Sequence, residues 1–418
     1  MKDRDADRAW AVIADIAEAL RPEAENLDPE TNPAVTVGTA GIALFYAYLG
    51  AETGNEEWTG LADRLMDHSV DALSGRPLHP DFYEGFTGIG WAVDHLQGIL
   101  YEESEDEDGD DPIGESLVQF LQRPLGQRGD FDLIGGLAGL MVYAFHALPR
   151  PAARRSLELL TQRLIELGEP VDGGFSWFTP PDSLPEWLRE QEPDGRFNLG
   201  VSHGVAAVIA VLGMCAGAGV LTAGQRDILD RTVAWFLAQK QTGKAWCFAN
   251  SVIQGRPAGR DRLAWCYGDP GIAAALFTAA RHCAHDEWEA VALEVAQTAA
   301  RRDMETAEIV DAGLCHGSAG LAHLFNRMHQ ASGDPLLADA AIAWYRHTVD
   351  MQKPAVGIAG YEFFSAPGWT PHTGFLSGLA GVGIGLLGGV SSREPAWDQF
   401  LAVSVPLERR SPAPAATP

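Results

Sequence analysis

RLAWCYGDPG at 262–271 and LCHGSAG at 314–320 share one layout: a cysteine, one further residue, then Gly-x-x-Gly. The residue between is Tyr267 in the first stretch and His316 in the second. Reading outward, the glycine pattern returns along the chain. It opens VGTAGIALFYAYL (37–49), EGFTGIGWAVDHL (84–96), GGLAGLMVYAFHAL (135–148), SHGVAAVIAVLGM (202–214), YGDPGIAAALFTAA (267–280), HGSAGLAHLFNRM (316–328) and SGLAGVGIGLLGG (377–389). The leading glycines are Gly38, Gly85, Gly136, Gly204, Gly268, Gly317 and Gly378, spaced 47 to 68 residues apart. Six copies keep the second glycine; the fourth has Ala207.

Each spacing holds two helices and their connections. The segment after each Gly-x-x-Gly is apolar throughout, while segments between copies, such as 153–167 and 336–351, are amphipathic. The pattern predicts an all-α chain of seven helical-hairpin repeats, with seven apolar inner helices and seven amphipathic outer ones. One hairpin cannot bury both its faces, so the repeats must pack side by side. Closure into an α/α toroid removes the exposed ends and gathers the glycine loops at one rim. Glycine there permits tight entry into the helix and removes side chains where helix ends crowd. The expected organisation is one domain over 1–410 and a disordered tail at 411–418. An N-terminal amphipathic helix is expected to stop at Pro22. The run EESEDEDGDD (102–111) reads as a solvated loop. The connection at 168–201 is long enough to carry function or a small inserted structure.

Thirty basic residues against 57 acidic ones give a net charge of −27, which argues against nucleic-acid binding. The charged N-terminus has no secretory h-region. Two uncharged stretches, 205–225 and 373–391, have the length of a membrane span, but equally suit helices buried in a large core, and no span is expected. Five cysteines, an odd number in a long chain, exclude a disulfide framework and suit a reducing cytoplasm. Cys215, Cys247 and Cys283 read as small packed residues. Cys266 and Cys315 differ, because each stands two residues before the leading glycine of consecutive repeats. Neighbouring loops would bring them together with His316. Two thiols and an imidazole suit zinc and leave its fourth position open.

WCYGDPG and CHGSAG, set on seven Gly-x-x-Gly repeats, resemble the lanthionine synthetase C-like (LanC) family over nearly the whole chain. The resemblance implies the seven-plus-seven α/α toroid, with zinc held by Cys266, Cys315 and His316. It also implies a catalytic His203, in FNLGVSHG, and roles for Asp132, in FDLIGGLAG, and for Arg262 and Tyr267 around Cys266. On residue type alone, Asp132 reads equally as a helix cap, Arg262 as an ion-pair partner and Tyr267 as packing. His282, His285, His323 and His372 match no motif and read as surface or packing residues. Ala207 departs from the family pattern.

The implied activity is a zinc-dependent lanthipeptide cyclase. It adds peptide cysteine thiols across dehydroalanine or dehydrobutyrine in a dehydrated precursor peptide, forming thioether rings. A dehydratase and an exporter are the expected partners in a modification complex. The alternatives are a relative that adds glutathione to dehydrated residues in proteins and a non-catalytic peptide-binding scaffold. A toroidal glycosidase needs paired carboxylates at its cavity, and none stand on the glycine loops.

Overall fold

A computed structural model describes residues 3–101, 111–123, 130–259, 262–365 and 368–408. The expected tail lies outside these residues, as does the acidic run except for Asp111. All seven Gly-x-x-Gly segments open a helix: Thr39–Thr53, Phe86–His95, Leu137–His146, Val205–Gly217, Asp269–Cys283, Ser318–Ser332 and Leu379–Val390. Each leading glycine immediately precedes its helix. Seven further helices alternate with these, at Asp3–Glu25, Glu56–Gly75, Pro112–Leu121, Pro151–Leu167, Ala223–Ala238, Asp286–Ala300 and Pro335–Asp350.

Burial follows the two sequence patterns. Thr39–Thr53 is buried without a break from Thr39 to Gly50, and Val205–Gly217 from Val205 to Ala216. Glu56–Gly75 buries one stripe, Leu61, Ala62, Leu65, Met66 and Ser69, and turns the rest outward. The apolar helices within the two uncharged stretches, Val205–Gly217 and Leu379–Val390, are buried over most of their length. Among the described residues no helix is long and apolar enough to cross a membrane.

Pro22 does not end the first helix, which continues to Glu25. The missing N–H removes one hydrogen bond near the C-terminus, while the Pro22 carbonyl still accepts from the Asn26 N–H at 3.0 Å.

The glycine requirement has a different origin from crowding between helices. A helix leaves its first N–H groups without intrahelical partners. Here the chain folds its own preceding loop back over them, and carbonyls seven residues upstream accept the bonds. Thr39 N–H donates to Asn32, Leu137 to Asp130, Ser318 to Asp311 and Leu379 to His372, each at 2.9–3.0 Å. In five copies that wrapping leaves no room for a side chain at the second glycine; the fourth copy carries Ala207 there. A Cβ at Gly41, Gly88, Gly271, Gly320 or Gly381 would strike the carbonyl six residues before it.

The chain divides into two compact units. The first comprises 1–113, 309–326 and 335–397. Within it the glycine loops are joined by backbone bonds at one equivalent position, two residues before the leading glycine. Thr36 N–H donates to Tyr83 O (3.4 Å), Leu376 N–H to Thr36 O (3.1 Å) and Cys315 N–H to Leu376 O (2.9 Å). The first and last loops of the chain are therefore direct neighbours. This unit also holds a hairpin of strands Phe363–Ser365 and Gly368–Thr370.

The second unit comprises 114–308, 327–334 and 398–418. The same position links its loops: Ile134 N–H donates to Ser202 O (3.3 Å) and Ser202 N–H to Cys266 O (3.3 Å). The long connection supplies strands β1 (Glu169–Val171), β2 (Gly174–Ser176), β3 (Phe178–Thr179) and β4 (Arg196–Asn198), with a short helix Glu186–Arg189. Strands β5 (Ser251–Ile253) and β6 (Arg256–Ala258) complete an antiparallel sheet ordered β3-β4-β5-β6.

Candidate metal centre and catalytic cavity

Cys266 belongs to the second unit and Cys315 and His316 to the first; two thiols and an imidazole are a donor set suited to a metal ion. The loop of Cys315 and His316 is closed by the Ser318 N–H donating to the Asp311 carbonyl (3.0 Å), and that of Cys266 by the Gly271 N–H donating to the Ala264 carbonyl (3.3 Å). His316 Nε2 lies 3.5 Å from Asp311 Oδ2 and 3.3 Å from the Phe364 carbonyl. An imidazole anchored through one nitrogen in this way presents the other to a cation, the usual arrangement of a histidine ligand.

Asp311 was not singled out by its motif. Its Oδ1 accepts the Gly313 N–H at 3.0 Å and its Oδ2 the Phe364 N–H at 3.1 Å. Burial alone would raise this carboxyl. The His316 contact and the two backbone donors outweigh burial and hold it below the ordinary carboxylate range. A signal existed in the sequence: Asp311 stands six residues before its leading glycine, and the corresponding residues are polar in every copy.

The second unit contains a cavity of about 790 Å³ lined by Asp132, His203, Arg262 and Tyr267. All four residues singled out for catalysis thus face one space. His203 Nδ1 meets Asp132 Oδ2 at 2.5 Å, and the imidazole side chain is 48% exposed. Asp132 Oδ1 accepts from Gly135 N–H at 2.9 Å. Asp132 therefore closes its loop with one oxygen and contacts His203 with the other.

Arg262 donates from Nη2 to Cys266 Sγ at 3.1 Å. The Tyr267 hydroxyl oxygen accepts from Asn198 Nδ2 at 2.9 Å and Arg196 Nη2 at 3.4 Å. Asn198 Oδ1 is taken by the Gly200 N–H at 2.9 Å, which fixes the amide with its NH₂ toward the phenol. Burial pushes the Tyr267 phenol above its ordinary range, against the pull of Arg196 and Asn198. It is therefore held as a neutral phenol whose oxygen is engaged.

The connection at 168–201 also lines this cavity, through Leu184, Pro185, Trp187 and Leu188 on and beside its short helix. Burial pushes Cys215 up to about 12, and Cys247 and Cys283 to about 11. Of the histidines set aside, His282 and His323 are buried, and His285 caps the helix Asp286–Ala300 by accepting from Trp288 N–H. His372 accepts the Gly374 N–H within its own glycine loop.

The profile of the lanthionine synthetase C-like protein family matches residues 29–402. The chain is 23% identical over 398 residues to the nisin biosynthesis protein NisC of Lactococcus lactis subsp. lactis, covering 88% of each. The solved structure of nisin cyclase superposes with a TM-score of 0.74 at 20% identity, covering 94% of this chain and 96% of that one. The fold class is accordingly all-α, an α/α toroid.

Proposed function

The chain belongs to the lanthionine synthetase C-like family, and on that premise we propose that it is a zinc-dependent lanthipeptide cyclase. It joins a cysteine thiol of a dehydrated peptide to a dehydroalanine or dehydrobutyrine of the same peptide. The observation that carries this reading is the Cys266, Cys315 and His316 donor set. Two thiols and an imidazole, the latter backed by a carboxylate, match the ligand chemistry of a catalytic zinc with one open position.

Zinc bound by these three residues would supply the acidity that makes a thiol a nucleophile at neutral pH. The substrate sulfur forms its new bond to the alkene β-carbon, and the α-carbon gains a proton, so peptide mass is unchanged. Arg262, already directed at Cys266, keeps a permanent positive charge beside that ligand sulfur. His203 carries the proton: with Nδ1 held by Asp132, its Nε2 is left to deliver or collect one. Tyr267 offers its hydroxyl proton to the enolate oxygen that develops during addition. The cavity holds both reacting parts of one peptide, which replaces a slow random encounter.

A dehydratase must act first, because the alkene has to be present before the thiol can add. Thiol ligands also suit a reducing cytoplasm. The test is zinc quantification followed by incubation with a dehydrated, cysteine-containing peptide, scored by loss of thiol alkylation. One zinc per chain and disappearance of alkylatable thiol at constant peptide mass are expected. A zinc-loaded protein that leaves every thiol alkylatable would contradict the reading.

A further inference from the structure

The face of the β3-β4-β5-β6 sheet that lines the cavity is polar. On β4, Arg196 and Asn198 share one face by strand alternation. Phe197 between them turns the other way, against Phe178 (5.3 Å between ring centres) and Trp235 (5.4 Å). Thr179 on β3 pairs with Arg196, and Ser251 on β5 pairs with Asn198, so all four side chains fall on the cavity side.

Among the described residues, four buried atoms lining this cavity have no hydrogen-bond partner: Arg196 Nε, Asn250 Oδ1, Ser251 Oγ and Glu192 Oε2, the last within ion-pair distance of Arg196 Nη1. Arg196 is 8% exposed and Ser251 1%. A polar group taken out of water and left without a bond keeps its full desolvation cost. The first three, on one cavity wall, point to a ligand that completes them.

Their chemistry defines that ligand. Arg196 Nε offers a donor, Asn250 Oδ1 an acceptor, and the Ser251 hydroxyl either. The Arg196 charge is already balanced by Glu192, with Nη1 3.3 Å from the carboxylate. A paired guanidinium favours a neutral partner over an anion. A peptide group, with one carbonyl and one N–H, fits this set.

We propose that Arg196, Asn250 and Ser251 form a subsite for a backbone peptide group of the dehydrated substrate, beside the residue that reacts. The proposal rests on the cyclase reading and adds to it a binding site in the same cavity. Arg196 also contacts the Tyr267 hydroxyl, so the subsite ties peptide placement to that group.

The test uses the full chain and a short synthetic dehydroalanine peptide whose cysteine is replaced by serine. This peptide binds without cyclising, and its affinity is read by fluorescence anisotropy. Asn250→Ala and Ser251→Ala are each expected to weaken binding about fivefold, the worth of one net hydrogen bond. Their Tm should hold or rise, because each removes a buried atom that has no partner among the described residues. N-methylation of the peptide N–H that meets Asn250 should cause the same loss, and should not add to Asn250→Ala. Unchanged affinity in both variants, beside a wild type that binds this peptide and cyclises its cysteine parent, overturns the subsite alone. A fall in Tm in both variants also overturns it, because those atoms would then serve the fold. A wild type that neither binds nor cyclises overturns the cyclase reading and the subsite together.

Discussion

Arg262 points its guanidinium at the Cys266 sulfur, 3.1 Å away, from a position that other repeats use to close their loops. Six residues before the leading glycine, Asn32, His79, Asn198, Asp311 and His372 each accept the backbone N–H two residues further on. Arginine has no acceptor to offer. The repeat that carries Cys266 has thus given up a loop-closing bond and placed a cation beside the sulfur.

Restoring the ordinary residue type separates fold from function at this position. Arg262→Asn should close the loop onto Ala264 and hold or raise Tm. It should also slow ring formation about a hundredfold, the scale of one lost charge-stabilising donor. Alkylation-quenched time courses and a thermal melt check both halves. Full activity in the variant would make Arg262 a structural residue.

The His203–Asp132 contact predicts a graded pair of effects. His203→Ala should keep its zinc and slow cyclisation by about 10²–10⁴, the range for loss of a proton-transfer group. Asp132→Asn should cost less, because Asn Oδ1 can still accept from Gly135 and the loop stays in place. Zinc content measured beside rate distinguishes this from damage to the metal ligands. A His203→Ala protein that lost its metal would show the role to be misassigned.

Asp269 holds the loop that carries Cys247. Its carboxylate accepts the Cys247 N–H at 2.7 Å and the Phe248 N–H at 3.0 Å, with no exposure to solvent. Burial pushes this carboxyl from 3.8 up to about 6, against the pull of those two donors. The folded chain therefore binds a proton more readily here than the unfolded chain. Stability from this group falls as pH rises from about 4 to about 6 and is level above that. Asp269→Asn removes the titration, so the difference in Tm between variant and wild type should change across that window and not beyond it. A constant difference would contradict the assignment.

The loop wrapping predicts opposite outcomes at two glycines. Gly320→Ala puts a Cβ into the Leu314 carbonyl and should destabilise by roughly 1–3 kcal/mol, as overpacking does. Gly60→Ala lies within the helix Glu56–Gly75, where an added Cβ meets nothing within 4 Å. It should stabilise by about 0.5–1 kcal/mol through helix propensity. Chemical denaturation measures both.

The repeat was legible because a glycine leads every copy, the loop wrapping crowds a Cβ at the second glycine in five of them, and an apolar run marks the helix behind. Seven apolar and seven amphipathic helices could be counted from the residues alone. Cys266 and Cys315 stand out in the sequence because each lies two residues before the leading glycine of its repeat, with His316 directly after Cys315. Asp311 and Asn198 were harder to see, because their partners are backbone N–H groups that no residue pattern displays. The four-stranded sheet was hidden too. Its strands are two or three residues long, and β5 and β6 come from some fifty residues beyond β4. Arg196 and Ser251 become one surface only through that pairing.

The central claim concerns three side chains around one cation, and zinc K-edge X-ray absorption on the zinc-loaded protein reads that shell directly. The account predicts two sulfur scatterers at about 2.3 Å and one imidazole nitrogen at about 2.0–2.1 Å, with a light atom in the fourth position. Cys266→Ala should remove one sulfur or the metal altogether. A shell of nitrogen and oxygen alone, unchanged in that variant, would contradict it.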